Sequence, residues 1–224
     1  CGMGVCNECL VTFNGERGIR ACMQYLEPNA VVEKEIDTKV IVSEKKTEHS
    51  VRLNLKADII IVGAGPAGLS AALVANKNGA NVVVLDEREE TGGQYYKPRT
   101  IGYRGSTEED RQHLEGIKLR AKAHDSGVKF YTGQTVWYAR KSNGAFELRS
   151  SSKERQLELS APAMILCTGA FEIPAIVPGW TLPGVTTIGA AQTMARRYGV
   201  LPEGRVLIAG NGPLGLQLVH EMLN

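Results

Sequence analysis

The sequence predicts an α/β protein, and two observations carry that prediction. The apolar strand Asp58–Val62 leads into a glycine-rich turn and then a helix-forming segment. The same order recurs after the apolar segment Arg205–Ala209. Both segments are typical of the start of a βαβ unit, whose parallel strands are buried under helices and therefore read as continuous apolar runs. Four cysteines lie within the first 22 residues, so a small separate domain is expected ahead of the α/β region.

The composition allows more than one domain and argues against two kinds of partner. The chain has 224 residues, 43% of them hydrophobic, which is enough for a sizeable core. Its formal net charge is +2 and no basic block is present, so a nucleic acid is not expected to bind. No apolar run approaches the ~18–20 residues of a membrane span. The chain opens inside the cysteine motif and stops one helix into the second unit, so we expect a fragment of a longer protein.

The cysteines at the start of the chain have the spacing of a plant-type [2Fe–2S] site. Cys1, Cys6 and Cys9 form C-x₄-C-x₂-C, and Cys22 follows as the fourth. In that pattern one tight loop supplies three thiolates and a more distant residue supplies the fourth. Zinc sites usually use two separated pairs instead, so we predict a [2Fe–2S] cluster on these four cysteines. Cys167 ends an apolar strand, where a cysteine packs as a small hydrophobe.

The segment between the cysteines and the first glycine motif is predicted to hold two strand regions and a linker. Leu10–Phe13 and Val31–Val42 have strand character, and Asn14-Gly15 is a turn signal. Residues 46–56 are polar and charged with little to bury, which is typical of a linker.

The first glycine motif has the context of a dinucleotide site. Gly63, Gly65 and Gly68 follow a predicted strand and open a helix. In such a unit the first glycine makes the turn, the second lets a pyrophosphate approach the helix N-terminus, and the third allows close packing of helix and strand. An acidic residue at the end of the next strand contacts the ribose. Asp86 is the first candidate for that role and Glu87 is its rival, because a predicted strand end can be wrong by a residue.

The remaining pattern alternates between helices and strands. The predicted elements are a helix at Leu69–Asn78, a strand at Asn81–Leu85, a loop over 92–106, a helix at Thr107–Ser126, antiparallel strands over Val128–Leu159 with a turn at 142–144, an apolar strand at Ala163–Cys167 and a helix at Ala190–Tyr198. A second glycine motif, Gly210, Gly212 and Gly215, then follows a strand and opens a helix. Its ribose-contact residue would lie past Asn224, so NAD, NADP, another adenine nucleotide and an empty remnant all stay open.

The stretch from residue 57 onward resembles the two-dinucleotide-domain flavoproteins of the glutathione and thioredoxin reductase superfamily. The resemblance lies in Gly92-Gly93-Gln94 after the acidic strand end, in the antiparallel meander and in the strand ending at Thr168-Gly169. It implies FAD at the first motif, with Thr168-Gly169 near the flavin pyrophosphate, and an inserted NAD(P)-type domain at the second. The cofactor-binding candidates are Gly63, Gly65, Pro66, Ala67, Gly68, Asp86, Glu87, Gly93, Gln94, Val136, Thr168, Gly169, Gly210, Gly212 and Gly215.

One feature of that superfamily is missing from the corresponding stretches. Its disulfide reductases carry a redox cysteine pair, either just after the Gly-Gly segment or shortly before the second glycine motif. Here those stretches read GGQYYKPR and LCTGAFEIP, which hold one cysteine between them. A single cysteine cannot form an intramolecular disulfide, so disulfide reduction is not expected.

Two longer stretches resemble subunits of heteromeric amino-acid and amine dehydrogenases. CGMGVCNECLVTFNGERGIRACM is similar to their small [2Fe–2S] proteins or domains, and CTGAFEIPAIVPGWTLPGVTTIGAAQTMARRYGVLPEGRVLIAGNGPLG is similar to their flavoprotein α subunits. The family comprises hydrogen cyanide synthase, opine oxidase, hydroxyproline dehydrogenase and sarcosine oxidase. The resemblance implies a partial β-grasp [2Fe–2S] domain over 1–45, a linker over 46–56, an FAD-binding domain over 57–200 and the start of a second nucleotide-binding domain over 201–224.

The same resemblance implies a role in electron transfer. In that family a separate β subunit, similar to D-amino-acid oxidases, takes hydride from the substrate, and the α side passes the electrons to an external acceptor. This chain would then relay electrons between flavin and cluster without a catalytic acid or base of its own. The alternatives are a self-contained NAD(P)H-dependent reductase and a degenerate subunit that binds adenine nucleotide only for structure. The expected location is the cytoplasm, with a quinone-linked complex as the route to any membrane association.

Overall fold

The computed structural model describes residues 9–34, 51–101, 103 and 110–223. These residues fall into two compact units. The first unit contains 9–34, 101, 103 and 171–223, and the second contains 51–100 and 110–170. Several predictions lie outside the described residues, namely the cluster ligands Cys1 and Cys6, the end of the strand region at Val42 and the helix start at Thr107. The domain boundaries stay predictions.

The described residues form eleven strands and four α-helices. The strands are β1 (Leu10–Phe13), β2 (Glu16–Arg20), β3 (Val32–Lys34), β4 (Val51–Lys56), β5 (Ile59–Val62), β6 (Val82–Leu85), β7 (Lys129–Tyr131), β8 (Thr135–Ser142), β9 (Ala145–Ser151), β10 (Arg155–Ala161) and β11 (Ala163–Leu166). The helices are α1 (Pro66–Lys77), α2 (Arg111–Asp125), α3 (Ile188–Thr193) and α4 (Pro213–Leu223). The α/β class predicted from the sequence is confirmed.

The second unit is built from two sheets and a helical layer. Its parallel sheet has the strand order β11-β5-β6-β7, and its other sheet has the order β4-β10-β9-β8. The two central strands, β5 and β6, are buried on both faces. Ile60 packs with the meander residues Leu148 and Leu157 on one face of the parallel sheet, while the neighbouring Ile61 packs with Ala72 of α1 on the other. This alternation follows from the period of two along a strand.

Strand β4 corrects the linker prediction for residues 51–56, while residues 46–50 lie outside the described part of the chain. Leu53 and Leu55 alternate with polar residues and pack against the core between the two sheets. The backbone of β4 pairs in parallel with β10, with Leu53 opposite Leu157 and Leu55 opposite Leu159. Partial burial of the two leucines and this ladder of backbone hydrogen bonds make Val51–Lys56 a strand, in spite of its polar composition.

The first unit contains a small antiparallel sheet and a helical region. The sheet has the order β2-β1-β3, and β1 turns into β2 through Asn14 and Gly15, both at positive φ, which confirms the predicted turn. A 3₁₀ turn follows at Ala21–Met23. The predicted helix Ala190–Tyr198 is α3 followed by a π-helical turn at Met194–Tyr198.

Two further findings concern the end of the chain and membrane insertion. Arg205–Ala209, predicted as a strand, is assigned to no strand, since none of the described residues pairs with it. A β-strand is defined by backbone pairing, and Leu207 is 93% exposed. Within the described ranges, no helix combines the length and the apolar character needed to cross a bilayer.

Candidate functional site

Three loops of the second unit meet at the carboxyl-terminal ends of its parallel strands. The glycine turn 63–65 follows β5, the segment 91–96 follows β6, and residues 167–170 follow β11. The side chain of Gln94 donates from Nε2 to the main-chain oxygen of Ala170, 2.8 Å away. Ligands of open α/β sheets bind outside the carboxyl ends of the strands, so this edge is the candidate dinucleotide site.

Close approaches explain why glycine occupies two positions of this site. A Cβ added at Gly68 would lie 1.8 Å from the carbonyl oxygen of Gly63, so helix α1 could not pack at its present distance from the turn. A Cβ added at Gly93 would lie 2.7 Å from Cα of Gly65, and Gly93 has φ +63°. The segment after β6 therefore lies directly against the glycine turn.

Helix α1 begins without a side-chain cap. Its N-cap is Gly65, with extended backbone and no side-chain hydrogen bond to the first turn, and Pro66 and the exposed Ala67 follow. The N–H groups of a first helical turn have no acceptor within the helix and carry the positive end of its dipole. A pyrophosphate can satisfy these groups. The residues present therefore fit the phosphate part of a dinucleotide.

The two acidic candidates for the ribose lie in different environments. Asp86 is 9% exposed, and its carboxylate accepts hydrogen bonds from the main-chain N–H groups of Ala64 (2.6 Å, to Oδ2) and Arg88 (2.8 Å, to Oδ1). Glu87 is exposed. Asp86 therefore holds the glycine turn in place, whereas the carboxylate of Glu87 is open to solvent and to a ligand.

The segment 91–96 is held by contacts on both sides. The N–H of Gly92 donates to the carbonyl of Ala64 over 2.8 Å. Thr91, 4% exposed, has its hydroxyl oxygen 3.0 Å from Nε2 of His124 on α2. No sequence signal indicated the Thr91–His124 contact, because 33 positions separate the two residues. The segment is thus fixed between the glycine turn and α2.

A second contact joins this segment to α2. The Tyr96 hydroxyl donates to Glu115 over 3.3 Å, and Arg111 donates to the other oxygen of the same carboxylate over 2.7 Å. The hydrogen bond from Arg111 lowers the pKa of Glu115. The Tyr96 ring also lies over Gly116, where a Cβ would be 2.9 Å from the Tyr96 Cβ.

The other predicted residues of the first site lie on β8 and after β11. Val136 is half-buried and packs against the core between the two sheets. Thr168 and Gly169 are exposed in the loop that reaches Gln94, and Gly169 has φ +73°. Cys167 is half-buried beside the apolar cluster under α1, and burial raises the pKa of its thiol. A protonated thiol is a poor nucleophile, which agrees with the predicted packing role.

The second glycine motif forms a turn into α4. Gly210 has φ +138°, and the N–H of Gly215 donates to the carbonyl of Gly212 over 3.1 Å. A Cβ added at Gly215 would contact Ile208 and Ile188 at 3.4 and 3.5 Å, whereas Gly210 and Gly212 have open space. Gly210 and Gly212 therefore lie in the turn and Gly215 in the first turn of α4, and the binding of a nucleotide at this motif stays a prediction.

The described cysteines of the cluster motif lie next to each other. The main-chain N–H of Cys22 donates to Sγ of Cys9 over 3.5 Å, and the N–H of Ala21 donates to the Cys9 carbonyl over 2.9 Å. An N–H directed at a cysteine sulfur is one of the contacts that tune an iron–sulfur cluster. Cys9 and Cys22 therefore fit as two ligands of the predicted cluster.

The fold and the site together define an FAD-dependent oxidoreductase with an iron–sulfur segment. Residues 57–222 match the family model described as pyridine nucleotide-disulphide oxidoreductase, and the chain belongs to this family. Residues 1–36 match the model described as a 2Fe-2S iron-sulfur cluster binding domain. These matches confirm the expected cofactors FAD and [2Fe–2S].

The chain is also similar to components of amine oxidases. It is 37% identical to an opine oxidase subunit of Agrobacterium tumefaciens (strain Ach5), over 75% of this chain and 34% of that protein. It is 28% identical to the alpha subunit of sarcosine oxidase from Corynebacterium sp. (strain P-1), over 76% of this chain and 18% of that protein. The chain thus spans about a third or less of the length of these relatives. The predicted resemblance to such subunits is confirmed.

One solved structure shares the fold over most of the chain. The crystal structure of L-proline dehydrogenase from P. horikoshii superposes with a TM-score of 0.68 and covers 86% of this chain and 37% of that chain. The two sequences are 21% identical, so the likeness concerns the fold alone.

Proposed function

We propose that this chain is the flavin and iron–sulfur part of a multi-subunit dehydrogenase that oxidises an amino acid or secondary amine. Its role is to relay electrons between FAD and a [2Fe–2S] cluster. The observation that carries the proposal is the presence, in one chain, of the three converging loops tied by Gln94 and of the adjacent Cys9 and Cys22. Bound FAD would exchange electrons in pairs on the substrate side and one at a time with the cluster, which carries single electrons.

The residues of the loops and of the cysteine motif have distinct roles in this proposal. The first turn of α1 binds the pyrophosphate, with Gly65 and Gly93 keeping the approach free of side chains. Glu87 contacts the ribose hydroxyls, because its carboxylate is exposed, and Asp86 positions the glycine turn. Thr168 and Gly169 lie beside the pyrophosphate, and Cys9 and Cys22 ligate the cluster together with the cysteines at positions 1 and 6.

The relatives support the substrate class. Opines and sarcosine are both N-substituted amino acids, and the related proteins are named oxidases of these compounds. They are also named as subunits, which supports a heteromeric assembly. We assign the substrate chemistry to a β subunit similar to D-amino-acid oxidases, and we place the assembly in the cytoplasm, where an external acceptor takes the electrons. Disulfide reduction is not proposed, because Cys167 is the only cysteine after position 22.

The second glycine motif favours one competing function. A nucleotide at the turn over 210–215 would supply electrons if it were NADH or NADPH, and the chain would then act as a self-contained reductase. The open space beside Gly210 and Gly212 is the observation in favour of this alternative.

The experiment that separates the two functions uses the full-length protein, purified anaerobically without partner subunits. Its visible spectrum is measured before and after the addition of NADH or NADPH, and then after dithionite. The relay proposal expects flavin and cluster bands that bleach with dithionite and stay oxidised with either nicotinamide nucleotide. Bleaching by NADH or NADPH within seconds would contradict the relay and support the reductase.

A further inference from the structure

A buried arginine in the first unit contacts the segment that carries the fourth cluster cysteine. Arg197 is 9% exposed, and its guanidinium donates from Nη2 to the hydroxyl of Tyr25. The Cζ atom of Arg197 also lies 5.9 Å from the centre of the Tyr25 ring and 5.6 Å from that of Tyr198. A guanidinium over an aromatic ring is attracted by the negative face of that ring, most strongly where water is excluded.

Tyr25 is close in sequence to the cluster site. It follows Cys22 by three residues, and the N–H of Cys22 is directed at the sulfur of Cys9. Three residues of chain span at most about 11 Å. The guanidinium of Arg197 therefore contacts a residue whose Cα lies within about 11 Å of the Cα of Cys22. A buried charge is screened less by salt than an exposed one.

The element that carries Arg197 is unusual and is anchored on its other side. Arg197 lies in the π-helical turn Met194–Tyr198, a rare geometry that often marks functional positions. The preceding Arg196 donates to Glu221 of α4 over 2.9 Å, and Gln192 and Gln217 donate to the same oxygen. Within one π-helical turn, Arg196 thus contacts helix α4 and Arg197 contacts Tyr25.

We propose that Arg197, held on Tyr25, is a positioning residue for the [2Fe–2S] cluster and raises its reduction potential. This inference rests on the proposed relay function. Reduction adds one electron to the oxidised cluster, with no bond broken and no proton taken up, and in the relay that electron comes from reduced flavin. A fixed positive charge nearby stabilises the more negative, reduced cluster. Arg197 therefore favours transfer of electrons from the flavin to the cluster.

The test is a potentiometric titration of the cluster in the full-length protein, followed by electron paramagnetic resonance with dithionite and redox mediators. Arg197→Met removes the charge and keeps an apolar stem, and it is expected to make the midpoint potential more negative. Arg197→Lys retains the charge and is expected to lie closer to the unsubstituted protein. Arg205→Met, which removes an exposed arginine of the same unit, is the matched control and should leave the potential unchanged.

A purely structural role predicts a different result. Arg197→Met would then lower the iron content or the melting temperature, while the clusters that remain would titrate at the unsubstituted potential, and this outcome overturns the proposal. If Arg197→Met yields no cluster, Arg197→Gln decides, because it removes the charge and keeps an amide donor for the Tyr25 hydroxyl. A more negative potential in Arg197→Gln supports the proposal, and an unchanged potential overturns it. A complete lack of cluster signal in the unsubstituted protein would instead contradict the proposed function itself.

Discussion

Asp86 and Ala64 are joined by a 2.6 Å hydrogen bond in which the main-chain N–H of Ala64 donates to the carboxylate, across 22 positions of the sequence. The other carboxylate oxygen accepts from the N–H of Arg88. Both oxygens thus bind main chain, one in the glycine turn and one after β6. The end of β6 is thereby fixed to the turn that opens α1, and the candidate phosphate loop depends on this carboxylate for its shape.

We expect Asp86→Asn to destabilise the protein by about 1–3 kcal/mol, because one of the two main-chain donors would face an amide NH₂ instead of an acceptor. The free energy of unfolding of the flavin-free full-length protein, measured in urea, checks this. Glu87→Gln is the matched control and should change the stability by less than about 0.5 kcal/mol, since Glu87 is exposed.

The same two variants test the ribose assignment. Glu87→Gln is expected to weaken FAD binding about tenfold, since a hydrogen bond to a neutral acceptor contributes about 1–1.5 kcal/mol less than one to a charged acceptor. Titration of the apoprotein with FAD, followed by flavin fluorescence, gives the dissociation constant. Unchanged affinity in Glu87→Gln would remove Glu87 from the site and return the role to Asp86.

Gly93→Ala is expected to lower the amount of FAD that co-purifies with the protein. The new Cβ would lie 2.7 Å from Cα of Gly65 and would push the segment after β6 away from the glycine turn. Gly127→Ala is the control, because Gly127 also has positive φ, +83°, but has nothing within 4 Å of the added Cβ. Equal flavin-to-protein absorbance ratios in the two variants would mean that the Gly65–Gly93 approach is not needed for binding.

Removal of a cluster ligand should leave the flavin in place. Cys9→Ser and Cys22→Ser are each expected to abolish most of the bound iron and acid-labile sulfide, whereas the FAD content stays near that of the unsubstituted protein. Chemical assays on anaerobically purified protein give the iron and sulfide contents, and the flavin absorbance gives the FAD content. Cys167→Ser is the control that keeps the four cysteines of the motif, and loss of iron in this variant would argue against the assignment of Cys9 and Cys22.

The thiol of Cys167 should react slowly with iodoacetamide near neutral pH. Burial raises its pKa, so its thiolate fraction is below that of an unfolded cysteine, and the rate should climb only as the pH passes the raised pKa. The raised pKa also makes stability depend on pH. The neutral Cys167 thiol contributes stability below the pKa of the thiol in the unfolded chain, and this contribution is lost as the pH rises through its higher pKa in the folded protein. Timed labelling with mass spectrometry, against guanidinium-unfolded protein, measures the rate. Equal labelling rates of Cys167 in the folded and the unfolded protein would contradict a raised pKa of this thiol.

The partly buried ion pair Arg196–Glu221 should contribute more stability than an exposed ion pair. The side chains of Arg196 and Glu221 are 15% and 13% exposed, whereas those of Arg140 and Glu147 are 56% and 41% exposed. Glu221→Gln removes the carboxylate from a partly buried pair and is expected to cost about 1–3 kcal/mol. Glu147→Gln should cost about 0–1 kcal/mol. Urea unfolding of both full-length variants provides the comparison, and similar losses would show that the burial of Glu221 has no energetic consequence.

Local sequence patterns predict the first βαβ unit well, but they do not predict contacts between residues far apart in the sequence. The strand, glycine turn and helix from residue 58 to 77 follow from apolar runs and glycines within a few positions of each other. The contacts Gln94–Ala170 and Arg197–Tyr25 join residues 76 and 172 positions apart, and neither side chain has a sequence signal for its partner. Strand β4 was missed because its charged residues outweighed the alternating Val51, Leu53 and Leu55.

The parallel pairing of β4 with β10 has a practical consequence for dissecting the molecule. A version of the protein that begins at Ala57 would lose β4, the edge strand beside β10. It would leave the backbone amides and carbonyls of residues 155–160 without their partners on that side, and the leucines of β10 with less cover. Such an exposed edge invites strand addition by other chains. A version of the protein without the cysteine segment should therefore begin upstream of Val51, since one that begins at Ala57 would be prone to aggregate.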